Sequence, residues 1–277
     1  MPVVTIARQL GSLGDEIGRA LAERLHYRSL DQHGLLDYVS AFGDIQPDAP
    51  ELTETRPSLW ERLSEERRRL TILARFGVYS VAHEDDAVIV GLGSSFLLRG
   101  LSHVLRVLCV ASESVRIRRV MEAMEHGAGP VGRETALELI HRSDRERAGY
   151  NRYVHHADWT DVHGYDLVLN TAQLSLEQAV DFVAFALDRA RVSPTPESLR
   201  EIEGLTLASR VEATLISNPE IWIDRLTATA EDGVVVIAGA VIAEEDRERA
   251  EELTRGVPGV ATVVNEIRLQ PPPLAGM

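Results

Sequence analysis

The sequence predicts an α/β protein with a mostly parallel sheet that helices cover on both faces, followed by a small α+β module. Three observations support this prediction. Short apolar runs alternate with helical stretches as far as residue 191, and such alternation is typical of parallel sheets. The chain begins with a strand, a glycine-containing loop and a helix. The proline-containing segment 192–197 then separates this part from a shorter one with a different pattern.

Composition limits the chemistry that this chain can perform. It has 277 residues, a formal net charge of -14, and 29 residues that are lysine or arginine, all of them arginine. A Schiff-base lysine and a P-loop lysine are therefore excluded, and cationic roles fall to arginine, histidine, a helix N-terminus or a metal ion. The acidic balance argues against a nucleic-acid partner.

The single cysteine and the apolar segments indicate where the protein works. Cys109 lies in an apolar run, so we expect a buried structural thiol, and one cysteine can form no internal disulfide. No segment approaches about 18 uninterrupted apolar residues, and the N-terminus shows no basic region before a long apolar core. We therefore expect a cytoplasmic protein without an integral membrane segment.

The first strand, loop and helix are predicted because the spacing of apolar residues changes from a short β-rich run to a helical repeat. Residues 3–7 are β-rich, residues 11–14 form a glycine-containing turn, and residues 15–25 carry apolar side chains at helical spacing. Asp15 and Glu16 fall in the first turn of this helix, where carboxylates interact favourably with the helix dipole.

Three further apolar runs predict buried parallel strands, and stretches with helical periodicity separate them. The predicted strands cover residues 87–90, 104–110 and 167–170. The predicted helices cover residues 60–83, 114–126, 133–150 and 176–191. We therefore assign residues 1–191 to one α/β domain.

After a linker at residues 192–198, residues 199–270 form the second predicted domain. Its elements follow the order α-β-β-α-β: a helix over 205–217, strands over 222–230 and 234–238, a helix over 244–255 and a strand over 261–269. From Glu197 onward the chain has 15 Asp and Glu residues against 7 Arg, so this part carries -8 of the net charge.

Four later segments make the interpretation of the glycine-containing loop as a phosphate-binding loop more specific. A strand, such a loop and a helix place backbone N–H groups around a phosphate, but the loop alone also fits an ordinary β–α turn. Residues 4–25 contain the letters A-R-Q-L-G-S-L-G-D-E-I, residues 88–93 read V-I-V-G-L-G, and residues 142–150 read R-S-D-R-E-R-A-G-Y. With residues 27–31 and 165–177 they resemble, in order, the cytidylate kinase-like family, a branch of the nucleoside monophosphate kinases. The resemblance spans about residues 1–187.

This resemblance implies a P-loop kinase-type sheet and assigns roles to named residues. The implied activity is phosphoryl transfer from ATP, with Mg²⁺, to a nucleoside monophosphate, CMP or dCMP. The residues that would bind the ATP phosphates are Gly11, Ser12, Leu13, Gly14, Asp15 and Glu16. The catalytic cations would be Arg8, Arg142, Arg145 and Arg147, the last three in the lid motif. The acceptor would be bound by Asp31, Gly91, Gly93 and Asp144, and Asp144 would orient an arginine or hold Mg²⁺ through water.

Five positions differ from an ordinary P-loop or from the family pattern, and they bear on activity, although this family branch often lacks the P-loop lysine. Gly14 occupies the position of the usual P-loop lysine, and the magnesium-binding hydroxyl falls on Asp15 or Glu16. Leu92 stands where the family commonly has arginine, and Leu13 stands where glycine would let the backbone approach a phosphate more closely. Arg8, at the position of the loop's first glycine, is either the replacement cation for the β- and γ-phosphates or a structural ion-pair partner.

The histidines after the lid motif allow two interpretations. His155, His156 and Asp158 could bind a metal ion, but adjacent histidines rarely face one ligand position. Local packing around Trp159 is the interpretation that we favour, and we assign no residue to a metal site.

The second domain resembles a BON domain. The strand that ends at Gly239, the helix that follows and the segment 256–267, with its G-V-x-x-V pattern and Asn265, carry this resemblance. Such domains are associated with binding membranes, hydrophobic ligands or proteins, so a protein partner, lipid or self-association is implied. The charge of -8 argues against docking on anionic lipid, and we expect a regulatory or oligomerisation role.

Two functional hypotheses follow, with a third behind them. The first is a cytidylate kinase-like phosphotransferase. The second is a catalytically degenerate nucleotide sensor that controls the BON module, and Leu13, Leu92 and the missing hydroxyl favour it. The third is a purely structural interaction protein.

Overall fold

The computed structural model describes residues 2–39, 65–84, 86–127, 129–190 and 192–270, which form two sheets. The first sheet contains β1 (Val3–Arg8), β2 (Arg28–Leu30), β3 (Ala87–Val90), β4 (Val104–Val110) and β5 (Leu167–Asn170). Its order is β2-β3-β1-β4-β5, and every pair of neighbours is parallel. The predicted parallel sheet is therefore confirmed.

Helices cover both faces of this sheet. They are α1 (Gly14–Leu25), α2 (Gln32–Val39), α3 (Glu65–Glu84), α4 (Ser94–Leu97), α5 (Glu113–His126), α6 (Arg133–Val154) and α7 (Leu176–Arg189). Side chains alternate along β1, so Val3 packs in the cluster that contains α3, whereas Val4 and Ile6 pack in the cluster that contains α1 and α7. The central strands β1, β3 and β4 are thus buried on both faces, as their continuous apolar runs predict.

The second sheet belongs to the C-terminal module. Its elements are α8 (Pro196–Ser217), β6 (Asp224–Glu231), β7 (Val234–Val241), α9 (Glu244–Arg255) and β8 (Thr262–Leu269). The central strand β7 pairs antiparallel with β6 and parallel with β8. This mixed three-stranded sheet confirms the predicted α-β-β-α-β order.

Helix α8 begins earlier than the sequence predicts. Prolines suggested a linker over 192–198, but the helix starts at Pro196 rather than at residue 205. Proline is tolerated in a first turn because its missing N–H would have no intrahelical partner there. Thr195 and Ser198 form a reciprocal capping box that fixes this start. Residues 196–198 are therefore helical.

The same helix contributes to both apolar cores. Ile202 and Ala213 lie in the cluster that α3 and the first sheet form. Val211 and Leu215 lie in the cluster of the second sheet. All four side chains are 0–1% exposed, so α8 is buried between the two sheets' cores.

The other differences concern short elements and boundaries. Helix α2 and the one-turn helix α4 are not among the elements that the sequence pattern predicts. The helix predicted over 60–83 is α3 from Glu65 onward, and residues 60–64 lie outside the described residues. Strands β3, β4 and β5 have the predicted ends.

Candidate functional site

The loop between β1 and α1 places backbone donors at a helix N-terminus. Gly11 and Leu13 have φ angles of 78° and 64°, in the left-handed region. That conformation costs a leucine about 1 kcal/mol, so the surrounding fold must hold it. The Ser12 hydroxyl donates to the Gln9 carbonyl at 2.8 Å, and no side chain of the described residues caps the first turn of α1. The N–H groups of that turn therefore face a potential anion.

A buried arginine holds the loop from the side of α5. Arg116 is 4% exposed, and its Nε donates to the Leu10 carbonyl at 2.8 Å. Its two Nη atoms donate to the Asp144 carboxylate at 2.9 and 2.7 Å. A Cβ at Gly11 would lie 2.9 Å from the Arg116 carbonyl oxygen, so this position requires glycine. Asp144, which the sequence analysis assigned to substrate binding, holds an arginine that links the loop to α6.

A second arginine and a threonine complete this bracing. Arg119 donates to the Gly11 carbonyl at 3.2 Å and to the Thr171 carbonyl at 2.7 Å. The Thr171 hydroxyl donates to the Ser12 carbonyl at 2.9 Å. Because a trans peptide directs its C=O and N–H oppositely, the N–H groups that follow these carbonyls point away from the bracing side chains. The Ser12 N–H donates back to the Gln9 carbonyl at 3.1 Å, so among the described residues the N–H groups of Leu13 and of the first turn of α1 are the ones left for an anion.

Arg8 occupies the space that a P-loop lysine would need. A Cβ at Gly14 would lie 2.3 Å from the Arg8 Cβ and 2.8 Å from its Cγ. The first carbons of the Arg8 side chain therefore occupy the space that the Cβ of any other residue at position 14 would need. The Arg8 Nε donates to Asp15 Oδ1 at 2.9 Å, so the guanidinium lies at the first turn of α1. The missing lysine and the added arginine are sterically coupled.

One narrow cleft brings together several residues that the sequence analysis assigned to the site. It lies where the carboxyl ends of β1 and β3 meet, the edge at which parallel sheets bind ligands. The predicted residues that line it are Arg8, Gly91, Gly93 and Arg147. Other lining residues are Ser94, Asn151 and Trp159, which the sequence analysis did not assign to a site. A Cβ at Gly93 would lie 1.9 Å from His155 Nε2, which explains that glycine.

The remaining predicted residues lie elsewhere. The Arg142 side chain is 73% exposed and pairs with Glu146 at 2.9 Å, one turn along α6. Arg145 is exposed on the same helix. Asp31 Oδ1 accepts two backbone N–H groups of the first turn of α2, each at 3.0 Å. Asp31 thereby caps that helix, and none of these three residues lines the cleft.

Leu92 and His155 take packing roles. Leu92 has a φ of 59°, is 4% exposed and belongs to the apolar cluster of the first sheet. His155 stacks on Phe96 and meets Tyr150 edge-on, each at a centroid distance of 5.7 Å. Across the described residues, no group of three or more His, Cys, Asp or Glu could hold a metal ion.

The loop offers oxygen donors to a magnesium ion that accompanies a nucleotide. Asp15 and Glu16 are both exposed in the first turn of α1. Magnesium needs only one or two carboxylates when phosphates and water complete its coordination. The pair therefore fits Mg²⁺, although Asp15 Oδ1 already accepts the Arg8 bond.

Comparison with known proteins gives two family matches. A model of the cytidylate kinase-like family matches residues 3–173, and a model of the BON domain matches residues 205–271. No curated protein matches the chain significantly.

Solved structures resemble about two thirds of the chain, and one of them does so with a TM-score above 0.5. A protein described as uncharacterized, from Eubacterium ventriosum, is 18% identical with a TM-score of 0.54, over 68% of this chain and 99% of that one. A shikimate kinase from Bacteroides thetaiotaomicron is 14% identical, TM-score 0.41, over 68% and 98% of the two chains. A gluconokinase from Sinorhizobium meliloti is 15% identical, TM-score 0.40, over 68% and 92%. In the described part of the chain, no helix is long and apolar enough to cross a membrane.

Proposed function

The chain belongs to the cytidylate kinase-like family, and from this premise we propose that it transfers the γ-phosphate of ATP to a nucleoside monophosphate, CMP or dCMP. The observation that carries the proposal is the cleft, which is lined by Arg147 from α6 and by Arg8, the last residue of β1 before the braced loop. Residues 1–191 would carry this activity in a cytoplasmic protein, and residues 199–270 would regulate it.

The ATP phosphates would bind at the N-terminus of α1. The N–H groups of Gly11 and of residues 13–16 would surround the β-phosphate, favoured by the helix dipole. The Ser12 N–H already donates to the Gln9 carbonyl. Arg8 would exchange its bond with Asp15 for a phosphate oxygen, because a guanidinium binds either oxyanion in the same geometry. A bound Mg²⁺, held through Asp15 or Glu16, would neutralise phosphate charge.

Transfer requires positioning rather than a protein nucleophile. An oxygen of the acceptor's phosphate attacks the γ-phosphorus, the bond from that phosphorus to the β–γ bridging oxygen breaks, and ADP leaves with that oxygen. Arg8 and Arg147 would neutralise the charge on the transferred group from two sides. Arg142 and Arg145 would remain on the exposed surface of α6, so the structure favours Arg147 among the three lid arginines.

The test is ADP formation by the full-length protein. The protein is incubated with ATP, Mg²⁺ and each common nucleoside monophosphate in turn, and ADP is measured by a coupled assay. The proposal expects turnover with CMP or dCMP above the ATPase background. ADP formation that no monophosphate stimulates would refute it.

A nucleotide sensor is the second candidate, and a specific observation favours it. Leu92 is packed in the core rather than offered to a ligand, so this chain has no cation at the position where the family commonly has arginine. Such a protein would bind ATP without turning over any acceptor. Thermal unfolding with and without ATP distinguishes a protein that binds ATP without turnover from one that does not bind ATP. A ligand that binds the native state raises the midpoint of thermal unfolding.

We propose that the BON module is rigidly coupled to the kinase-like domain. Glu212 of α8 is 4% exposed, pairs with Arg75 of α3, and accepts the Ala228 N–H of β6 at 2.9 Å. Arg68 of α3 donates to the Ile223 carbonyl at 3.1 Å. A buried carboxylate shared by three elements would transmit a displacement of α3 to the module's sheet.

Fluorine-labelled tryptophan tests this coupling. Trp159 reports the kinase-like domain and Trp222 the module, and each signal is assigned by its phenylalanine variant. Coupling predicts one thermal midpoint at both tryptophans, raised together by ATP. A midpoint that ATP raises only at Trp159 would contradict it.

Glu212→Gln serves as the perturbing variant and Glu203→Gln as its control, because Glu203 is exposed on the same helix. The proposal expects the first change to lower both midpoints and the second to leave them within error. Equal effects of the two changes would argue against a coupling role for Glu212.

A further inference from the structure

His103 is a buried titratable group at the junction of the two domains, and the proposed kinase chemistry does not use it. It lies in the turn before β4 and is 0% exposed. Its carbonyl oxygen accepts the Val3 N–H at 2.9 Å, which ties it to the start of β1. Its Nδ1 lies 3.0 Å from the Ser198 Oγ in the first turn of α8. The ring therefore joins the first sheet to the helix that leads into the C-terminal module.

Ser198 fixes the start of that helix. Its Oγ accepts the Thr195 N–H at 3.1 Å, which is one half of the capping box. The hydroxyl of Ser102, next to His103, lies 3.1 Å from the same oxygen. One turn further along α8, Ile202 is fully buried in the core of the first domain. The first turn of α8 is thus attached to the kinase-like domain through a polar cluster that His103 and Ser198 share.

The second ring nitrogen of His103 has no hydrogen-bond partner among the described residues. This atom, Nε2, is buried. By contrast, the exposed His141 and His163 each contact a carboxylate. A neutral ring at position 103 needs only one acceptor, because its Nδ1–H can donate to Ser198 Oγ while Nε2 carries no proton. A protonated ring would bury a charge and a second N–H that has no acceptor.

Charged neighbours do not offset the cost of protonating His103. Burial lowers the pKa of His103, and the positive charge of the chain's N-terminus lowers it further. Within the described ranges, the ring forms no ion pair with any charged side chain of its own loop or of α8. Those side chains are Arg99, Arg106, Glu197, Arg200 and Glu201, and the start of β1 has none. Protonation therefore favours a state in which the ring is exposed to water.

We propose that His103 is a pH-sensitive latch that holds the start of α8, and with it the C-terminal module, against the kinase-like domain. The latch is closed while the ring is neutral. Mild acidification opens it, because the protonated ring leaves its buried position and its bond to Ser198 breaks. This proposal does not depend on the proposed kinase activity.

The expected size of the effect follows from linkage between protonation and opening. A solvent-exposed histidine has a pKa of about 6.5, so the ring of the open state is about ten-elevenths protonated at pH 5.5 and about one-eleventh at pH 7.5. The closed state keeps the ring neutral, so the equilibrium constant for opening should rise roughly ten-fold between pH 7.5 and pH 5.5. Because the pKa of His103 is lowered in the folded protein, the stability that the latch gives is present at neutral pH and is lost as the pH falls below about 6.5.

Native-state hydrogen exchange on the full-length protein measures this opening. Exchange rates of the backbone amides of residues 199–202 are corrected for their intrinsic pH dependence and compared with those of β1. The proposal expects protection at residues 199–202 to be lower than in β1 and to fall roughly ten-fold from pH 7.5 to pH 5.5. Equal protection in the two elements would mean that α8 opens only when the whole protein unfolds, and would overturn the latch.

Two variants assign the pH effect to one ring. His103→Asn can place an amide nitrogen where Nδ1 lies but cannot be protonated, so the ten-fold change with pH should disappear whatever the overall stability of the variant. His141→Gln removes an exposed histidine of α6 and should keep the change. A ten-fold fall that persists in His103→Asn, or no fall in the parent protein, would overturn the latch.

A measurement on the unaltered protein covers the case in which His103→Asn fails to fold. Nitrogen-15 spectra of labelled histidine report the protonation of each ring, and the His103 ring is assigned by its contact with Ser198. The proposal expects this ring to be neutral at pH 5.5 in molecules whose α8 amides remain protected. A protonated His103 ring in the closed state at pH 5.5 would contradict the latch.

Discussion

Alanine at position 14 should destabilise the protein, although glycine-to-alanine changes in helices usually stabilise by up to about 1 kcal/mol. The new Cβ would lie 2.3 Å from the Arg8 Cβ. Ordinary carbon contacts are about 3.5–4.0 Å, so about 1.2 Å of displacement is needed. The Arg8 Cβ cannot swing away, because β1 is fixed between β3 and β4. Overpacking of this kind typically costs about 1–3 kcal/mol, which we expect as the loss in unfolding free energy.

Urea unfolding of a small set of variants measures this effect. Gly14→Ala should be neutral or stabilising in an Arg8→Gly background, which removes the Cβ, but still destabilising in Arg8→Ala, which keeps it. Gly34→Ala is the control, because a Cβ there meets its nearest atom at 3.6 Å, an ordinary contact. If Gly14→Ala behaves like Gly34→Ala with Arg8 present, the steric coupling between Arg8 and the lysine position is refuted.

Three further predictions concern buried or paired groups. Asp144→Asn should lower the unfolding free energy by about 2 kcal/mol, because it leaves the guanidinium of Arg116 buried without its carboxylate; urea titration would show no change if that pair were unimportant. Burial opposes ionisation of Asp166, but hydrogen bonds from Arg106 outweigh it and lower the pKa of Asp166. Stability from this pair is therefore present at neutral pH and lost as the pH falls below about 4, and Asp166→Asn should flatten that loss in urea titrations at pH 7 and pH 3. Burial raises the pKa of Cys109 to about 12, so iodoacetamide at pH 8 should label it only after unfolding, and rapid labelling of the native protein would contradict its burial.

The sheet could be predicted because its strands carry their own signal. The segments Ala87–Val90, Val104–Val110 and Leu167–Asn170 are short apolar runs bounded by polar or turn residues, and their ends agree with the prediction. The start of α8 could not be predicted in the same way. Prolines in a first turn and in a loop look alike in sequence, and packing of Ile202 on the first domain's core extends the helix.

The residues of the candidate site also fall into two groups, those that local motifs predict and those that depend on long-range contacts. Arg8, Gly91, Gly93 and Arg147 come from local motifs, and parallel strand ends bring them to one edge. The brace by Arg116 was missed because it joins residues 106 positions apart, a contact that only the order of strands determines. Its signal in the sequence is the presence of three arginines, at positions 116, 118 and 119, on the predicted helix 114–126.

The rotational orientation of helix α6 also could not be predicted from the lid motif. The lid pattern places several arginines together, but it does not say which one faces the sheet. Two residues, or about 200° of helical rotation, separate the exposed Arg145 from Arg147, and only packing selects Arg147 for the cleft. A motif therefore identifies the helix, and the three-dimensional contacts identify the residue.

The most direct test of the account is the initial rate of ADP formation from ATP, Mg²⁺ and CMP in the parent protein, Arg147→Leu and Arg145→Leu. The two variants make the same change on one helix, once in the cleft and once on the exposed face. The account predicts CMP-dependent turnover by the parent, a loss of roughly 10²–10³-fold in Arg147→Leu, and a rate within about three-fold of the parent in Arg145→Leu. A parent that forms no CMP-dependent ADP, or equal losses in the two variants, would contradict it.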